Sequence, residues 1–332
     1  MKLATKKNNI SKDGELVLVS KDNQFYCTAS DIVPNLITAL EKWADVEPKL
    51  QKRYQDLNQK TFTAVHKLNN IKDFSSALPR TWLFADGSAF IHHIKLVRMA
   101  RKSALPETLQ TVPLMYQGEC GRFLDPYEDI PQVDFAHGTD FEAEVGVILD
   151  HVPIGTSAEN ALKHIKLIVL INDVSLRGLI PEELAQGFGF FQSKPNSALS
   201  PFALTIDELG EAWQQGRVHL PLHVTYNNQF FGKANAKEMH FHFGQLIAHA
   251  ARTRELAAGT LIGSGTVANE DTSMGSSCLA EKRMLEQIND GSIKTPFMKH
   301  GDTIKIEMMN AKGENLFGTI EQKVQQITYQ NI

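Results

Sequence analysis

Two glutamates set two residues apart in an otherwise apolar run, Phe141-Glu142-Ala143-Glu144-Val145-Gly146-Val147-Ile148-Leu149, constrain this chain more than any other stretch. The run reads as a β-strand, and successive side chains of a strand alternate faces, so Glu142 and Glu144 are expected to point the same way. Two like charges held together in a hydrophobic segment cost free energy unless a cation lies between them. A solvent-facing strand edge would hold the same Glu-X-Glu without a cation. Two further acids, each in an unusual setting, weigh against that plain alternative.

The first is Asp173, at the end of Ile165-Lys166-Leu167-Ile168-Val169-Leu170-Ile171-Asn172-Asp173. This run is rich in β-branched residues and reads as a strand buried on both faces, which delivers its polar end to the mouth of a cavity. The second is Asp86, where Asp86-Gly87-Ser88 forms a turn leading into a helix expected over Ala89 to Lys102. With ~3.6 residues per helical turn, the residue seven beyond Asp86 returns to nearly the same side, and that residue is His93 rather than His92. An oxygen-only set of carboxylates suits a hard divalent cation, Mg²⁺ or Ca²⁺. No Cys-X-X-Cys or His-Glu-X-X-His pattern of a zinc site occurs.

Composition narrows the function classes. At 332 residues, 42% hydrophobic and 22% charged with a net charge of −4, the chain reads as an ordinary globular protein with a large core. No basic stripe points to nucleic acid. The three cysteines, Cys27, Cys120 and Cys278, are widely spaced and odd in number, so a disulfide framework is not expected. The start of the chain lacks the apolar stretch of a signal peptide, and no run approaches the ~20 apolar residues of a membrane span. A cytoplasmic protein without membrane partners is the expectation.

Residues 1–75 read as a small α+β unit: strands at Glu15 to Ser20 and Gln24 to Thr28 around a Lys21-Asp22-Asn23 turn, then helices over Ile32 to Trp43 and Pro48 to Leu57. Pro34 fits only near the start of its helix. Residues 80–332 read as a mostly β domain with peripheral helices. Strands are expected at Val218 to Tyr226, Phe230 to Gly232, Thr303 to Met309 and Leu316 to Ile320, and the best helix at Phe243 to Thr253. Asn227-Asn228 suits a hairpin and Asn310 to Gly313 a turn.

Several other stretches carry chemistry only in company. Tyr116 sits among glycine and polar residues, and Arg177 lies four residues beyond Asp173, one turn away if a helix starts there. Lys194 occupies an aromatic, proline-broken loop, and Gly263-Ser264-Gly265-Thr266 forms a glycine-hydroxyl turn whose N–H groups can meet an anion. Taken singly, Arg177 and Lys194 read as solvated or paired with surface acids, and Glu281 as a surface charge. His240-Phe241-His242 reads as strand packing rather than a ligand pair.

Taken together and in this order, these motifs resemble the fumarylacetoacetate hydrolase superfamily from about Trp82 to the C-terminus. They are Asp86-X₆-His93, Glu142-X-Glu144, Asn172-Asp173-X-Ser175-X-Arg177, the Lys194 loop ending Ser200-Pro201, and Ser264-Gly265-Thr266. Residues 1–75 resemble the small N-terminal domain of the family more loosely. The resemblance implies an α+β, mostly β fold, a mixed β-roll, usually in a homodimer. It implies Asp86, Glu142, Glu144 and Asp173 as ligands of Mg²⁺ or Ca²⁺, and His93 as general base oriented by Glu281. It further implies Arg177 and Lys194 as oxyanion stabilisers, with Tyr116, Thr266 and Ser88 at the substrate. Two positions depart from the hydrolases proper: Ser88 stands where they carry a substrate-binding tyrosine, and Ile180 replaces a glutamine of their oxyanion hole.

The function the resemblance implies is divalent-metal-dependent hydrolysis of a carbon–carbon bond in a small β-diketo acid, fumarylacetoacetate or a related acylpyruvate, as in aromatic amino-acid catabolism. The same apparatus serves decarboxylation of a β-keto acid of the oxaloacetate type, or hydration of the 2-keto-4-pentenoate type, and fold analogy does not choose among them. A structural Ca²⁺ site in a binding protein is the non-enzyme alternative. It gives no role to His93 or Lys194.

Overall fold

The computed structural model describes residues 1–100 and 104–328. The N-terminal segment contributes strands β1 (Lys2–Lys6), β2 (Glu15–Val19), β3 (Phe25–Thr28) and β4 (His66–Lys67), with helices α1 (Leu36–Glu41) and α2 (Trp43–Asn58). The first expected helix is shorter than its apolar spacing suggested. It starts at Leu36 because Asn35 caps it, accepting the Thr38 N–H at 2.9 Å. The second starts at Trp43, five residues before Pro48, which lies inside it. Burial of Trp43, Val46, Leu50, Tyr54 and Leu57 along one face offsets the backbone hydrogen bond that Pro48 cannot make.

The rest of the described chain runs β5 (Phe84–Gly87), α3 (Ile91–Ala100), β6 (Met115–Gly118), β7 (Ile130–Gln132), β8 (Thr139–Asp140), β9 (Ala143–Leu149), α4 (Ala158–Ala161), β10 (Ile165–Asn172), β11 (Ser175–Leu176) and α5 (Ile180–Ala185). It continues through β12 (Ala198–Leu199), β13 (Phe202–Leu204), β14 (Trp213–Gln214), β15 (Arg217–Val218), β16 (Pro221–Tyr226), β17 (Gln229–Asn235) and α6 (Phe243–Ala250). It closes with β18 (Leu261–Gly263), α7 (Leu279–Asp290), β19 (Thr303–Met308) and β20 (Ile320–Gln326). Residues 101 and 102 of the helix expected after Asp86 lie outside the described residues.

The main sheet runs β4-β3-β2-β1-β13-β10-β9-β18-β5-β6, with β12 also paired to β10. It is antiparallel except for the parallel β5–β18 pair. Strand β1 pairs both β2 and β13, so the strands of residues 1–75 extend the sheet of the rest of the chain. A second sheet, β17-β16-β19-β20-β7, faces it. Val145, Val147, Ile168 and Leu170 meet Leu222, Val224, Ile304 and Ile306 between the two sheets. On the other face, Ile148, Leu167, Val169 and Ile171 share a core with Leu36, Leu40, Trp43 and Leu50 of α1 and α2. This double burial is why β9 and β10 read as nearly continuous apolar runs.

Local details both match and depart from the sequence pattern. Asn227 and Asn228, both at positive φ (50° and 60°), make the expected hairpin between β16 and β17. The strand expected at Leu316 to Ile320 starts only at Ile320, because the chain first closes a loop through the Met309–Asn315 bridge. The span from Val218 is broken, its first residue pairing in β15 and the rest in β16. His242 stands at the N-cap of α6, where its N–H donates to Gln245 Oε1 at 3.0 Å, rather than packing in a strand. Among the described residues no helix is long and apolar enough to cross a membrane.

Candidate active site

The sheet topology gathers acids from distant parts of the chain. Because β9 runs antiparallel to β10, the start of β9 lies beside the end of β10, with Glu144 opposite Ile171 and Ala143 opposite Asn172. Asp86 lies near the end of β5, in register with Gly263 of β18. Gly263 has to be a glycine: a Cβ there would sit 2.1 Å from Asp86 Oδ1 and 3.2 Å from Glu144 Oε2. Carboxylate oxygens of Asp86, Glu144 and Asp173 come within 4.8 Å of one another, all buried.

The charge balance of this trio is unfavourable as it stands. Both oxygens of Glu144 are buried without an N–H or hydroxyl donor among the described residues. Burial, reinforced by Asp86, Asp173 and Glu142, pushes the Glu144 pKa well above the usual carboxylate range. Burial and then Asp173 raise Asp86 to about 8, although the Gly265 N–H donates to its Oδ1 at 3.1 Å. An all-oxygen, buried trio in which Glu144 has no N–H or hydroxyl donor fits a hard divalent cation, which would supply positive charge there.

Glu142 is held differently. It immediately precedes β9 and adds to the negative charge felt by Glu144. Its carboxylate instead lies within 4.8 Å of ligand atoms of His93 and Cys278. It accepts from Arg177 Nη2 at 2.7 Å and from Lys194 Nζ at 2.6 Å. Burial opposes its ionisation, but Lys194, Arg177 and His93 together overcome that and hold its pKa well below the usual value. Lys194 also donates to Asp173 Oδ2 at 2.6 Å, and so links Glu142 to the acid trio.

Neither cation is solvated, contrary to the reading of each residue alone. Lys194 is 7% exposed and lies over the Tyr116 ring. Burial opposes its charge, yet Asp173 and Glu142 raise its pKa. Arg177 reaches the site by a strand, not by a helical turn, since β11 pairs with β8 immediately before it. Its Nε donates to Asp140 Oδ2 at 2.8 Å. Asp140, which the sequence reading missed, also accepts the N–H groups of Leu279 and Ala280 at 2.7 and 2.9 Å, so it caps α7. Glu183, also missed, accepts from the N–H groups of Phe191, Gln192 and Ser193 and so fixes the loop that carries Lys194.

A cavity of about 290 Å³ opens onto this cluster, lined among others by Asp86, Ser88, His93, Tyr116, Lys194 and Thr266. His93 reaches it from the first turn of α3, with Nε2 3.9 Å from Glu142 Oε1. Asp86 lies in a strand, so the helical spacing from Asp86 is not what brings the two together; the turn between β5 and α3 is. Tyr116 donates its hydroxyl to Asp173. Asp173 accepts a second hydroxyl, that of Ser197, at 2.7 Å. Thr266 Oγ1 is buried with no hydrogen-bond partner among the described residues. Glu281 is 2% exposed, not a surface charge, and lies on α7, which packs against α3. Burial raises its pKa to about 8 against the pull of the Ser277 N–H.

Residues 83–325 match the family model for the C-terminal part of fumarylacetoacetate hydrolase, and residues 1–80 that for fumarylacetoacetase N-terminal domain 2. The chain belongs to the fumarylacetoacetate hydrolase family. A curated relative, 2,4-didehydro-3-deoxy-L-rhamnonate hydrolase of Sphingomonas sp. (strain SKA58), is 26% identical over 170 residues. That match spans 50% of this chain and 56% of the relative, little more than half its length.

Solved structures share the fold across nearly the whole chain. Maleylpyruvate hydrolase from Sphingobium sp. SYK-6 aligns with a TM-score of 0.66 at 15% identity, covering 98% of this chain and 100% of its own. Fumarylacetoacetate hydrolase from Exiguobacterium antarcticum gives 0.62 at 14%, covering 98% and 100%. The 2-hydroxyhepta-2,4-diene-1,7-dioate isomerase of Mycobacterium marinum gives 0.61 at 15%, covering 98% and 98%. The family thus includes both hydrolases and isomerases, and its enzymes are generally divalent-metal dependent. The Asp86–Glu144–Asp173 trio is an oxygen cage of the kind that dependence requires.

Proposed function

We propose that this chain hydrolyses the carbon–carbon bond between the two carbonyls of an acylpyruvate-type β-diketo acid, with Mg²⁺ or Ca²⁺ held by Asp86, Glu144, Asp173 and the neighbouring Glu142. The observation that carries the reading is Glu144: a fully buried carboxylate without donors, beside a cavity that presents a histidine and two buried cations. Bound there, the ion would polarise the 2-oxo acid and balance the negative charge that develops on it.

The chain's own residues supply the rest. His93 takes a proton from water, and the hydroxide adds to the acyl carbonyl carbon. Lys194 and Arg177, already fixed by Asp173, Glu142 and Asp140, present preorganised positive charge to the resulting oxyanion. Collapse of the adduct breaks the bond to the methylene carbon, whose electron pair passes into the adjacent carbonyl as an enolate. The proton held by His93 returns to that carbon, giving one 2-oxo acid and one carboxylic acid, which releases its proton to solvent as the carboxylate. Glu281, on the helix facing that of His93, positions the imidazole. Its pKa of about 8 leaves it ready to ionise when His93 becomes a cation. Thr266 and Ser88 line the cavity where the polar end of the substrate lies.

Loss of the enolate absorbance of acetylpyruvate and of fumarylacetoacetate, followed with Mg²⁺, with Ca²⁺ and with chelator, tests this. Cleavage is expected with metal only. His93→Ala is expected to keep metal binding and to lose ~10²–10⁴-fold in rate, as removal of a general base does. Turnover of oxaloacetate in place of both diketones would reassign the chemistry to decarboxylation.

A further inference from the structure

The fold brings together a second set of metal-ligand side chains that no spacing in the sequence announces. Ligand atoms of His93, Glu142 and Cys278 lie within 4.8 Å of one another, and the set shares no residue with the Asp86–Glu144–Asp173 trio. Three elements meet to make it. The Ala143 N–H, at the start of β9, donates to the Ser277 carbonyl at 2.9 Å, which fixes Cys278 beside Glu142. Helix α7, which Cys278 opens, packs against α3, which carries His93. The active-site cavity reaches His93 and Glu142, so an ion has a way in, and the buried Cys278 completes the set.

The donors differ in kind from those of the trio. Three carboxylates suit a hard ion, whereas a nitrogen, an oxygen and a sulfur are the mixed set of a borderline-soft ion such as Zn²⁺. Zinc in its open sites takes three protein ligands about 2.0–2.3 Å from the metal and leaves a fourth position for water. Ligands at those lengths stand roughly 3.5 Å apart in a tetrahedron, so the three have no more than about 1.3 Å to draw together. Glu142 accepts from Arg177 and Lys194 through one oxygen each, which leaves about half of a carboxylate's roughly four lone-pair sites.

Charge favours the ion as well. With a divalent cation on the trio, the five carboxylates and two cations of the site keep one formal negative charge in excess. A coordinated thiol is deprotonated outright, its proton passing to solvent, so Zn²⁺ with the Cys278 thiolate adds one positive charge and balances the cluster. Nor does the fold ask for sulfur here. Cys278 stands at the N-cap of α7, where its Sγ accepts the Glu281 N–H at 3.4 Å, and serine is a preferred residue for that role.

We propose that His93, Glu142 and Cys278 form a second metal site, selective for Zn²⁺ over Mg²⁺, and that Zn²⁺ bound there arrests turnover by occupying the imidazole. An imidazole nitrogen bound to metal cannot take a proton from water. The arrest rests on the proposed role of His93 as general base; the binding does not.

The test is titration of the Mg²⁺-saturated protein with Co²⁺, a spectroscopic stand-in for zinc, and with Zn²⁺ against a chromogenic chelator. One equivalent of Co²⁺ is expected to give the near-ultraviolet charge-transfer band of a cobalt–thiolate bond. Cys278→Ser keeps the helix cap and should lose the band. It should also bind Zn²⁺ more than about a hundredfold more weakly, because even an outer-shell partner is worth ~10–100-fold. Cys120→Ser, changed at the half-buried thiol, should keep both band and affinity. All three proteins should retain the melting-temperature shift given by Mg²⁺ as proof of folding. No band at one equivalent, or a band or zinc affinity that survives Cys278→Ser, overturns the inference. If the band behaves as expected but the zinc-free protein cleaves no acylpyruvate, the hydrolase reading fails and the site stands. If acetylpyruvate is cleaved and Co²⁺ gives no band, the site fails alone. Cleavage at full rate with the site filled overturns the arrest and the role of His93 together.

Discussion

Glu144 is the residue on which the energetics of the site turn. A carboxylate that is fully buried, without an N–H or hydroxyl donor and flanked by two more carboxylates destabilises the fold whenever it is ionised. Its neighbour Glu142 shows the contrast, since two buried cations stabilise its charge. Glu144→Gln keeps the shape and removes the charge. The metal-free variant is therefore expected to melt higher than the native protein, by roughly 2–4 °C for each kcal/mol relieved. It should also bind Mg²⁺ more than about a hundredfold more weakly, because even the loss of an outer-shell partner costs ~10–100-fold. Differential scanning calorimetry with and without Mg²⁺ measures both effects. A variant that melts lower without metal would show that Glu144 has a partner of another kind.

Among the elements, α7 ties the site together, and Asp140 is what anchors it. One carboxylate there caps the helix and pairs with Arg177, so β8, β11 and α7 share a single buried charge. Asp140→Asn leaves Arg177 with one fewer counter-charge in the interior, and breaking such a pair costs ~3–5 kcal/mol. Urea unfolding should show a loss of that size, and turnover should fall because Arg177 is no longer fixed; an unchanged midpoint would remove Asp140 from this role. The same residue shows where sequence reading stops. Asp86, Glu144 and Asp173 were legible because each interrupts or ends an apolar run, which a chain rarely does without cause. Asp140 looks like an ordinary residue at a strand edge, since its partners lie 37, 139 and 140 positions away. Helix α7 was missed for a related reason: its N-cap is Cys278, an unusual capping residue, and its second cap comes from β8. Strand β1 was missed because it shows no alternation of its own and is buried between β2 and Phe202 to Leu204, the latter some two hundred residues on. Arg177, Lys194 and Glu281 were legible only in combination, because a charged side chain alone does not announce that it is buried.

Across the whole molecule, two sheets packed face to face leave the ends of β5, β9, β10 and β18 converging on one buried point. Five carboxylates, those of Asp86, Asp140, Glu142, Glu144 and Asp173, meet two cations, Arg177 and Lys194, there. The formal excess of negative charge makes the stability of the molecule depend on pH in a direction that can be worked out. Asp86 rises from its ordinary 3.8 to about 8, and Glu281 from 4.5 to about 8, so in both cases the folded state holds the proton more tightly than the unfolded chain. Their contribution is complete below the ordinary value and is lost as pH rises through the folded one. Glu142, lowered instead, acts the other way, but its effect is lost only as pH falls below 4.5. Within this cluster the window from about pH 4.5 to 8 therefore belongs to the raised groups. Burial lowers His92, His219, His223 and His242 from 6.5, and these oppose the carboxyls at the lower end. With chelator present, the melting temperature is expected to decline across the upper part of the window, from about pH 6.5 to 8. Saturating Mg²⁺ should remove the share due to Asp86 and Glu144, by supplying the charge that protons otherwise supply, and should add ~3–4 kcal/mol when present at several hundred times its Kd. The share due to Glu281 should persist with metal and vanish in Glu281→Gln. Melting curves at half-unit pH steps, with and without Mg²⁺, separate the two contributions. Parallel curves would mean that the ion does not sit on this cluster, and a decline unchanged in Glu281→Gln would mean that the α7 carboxyl does not titrate with the fold.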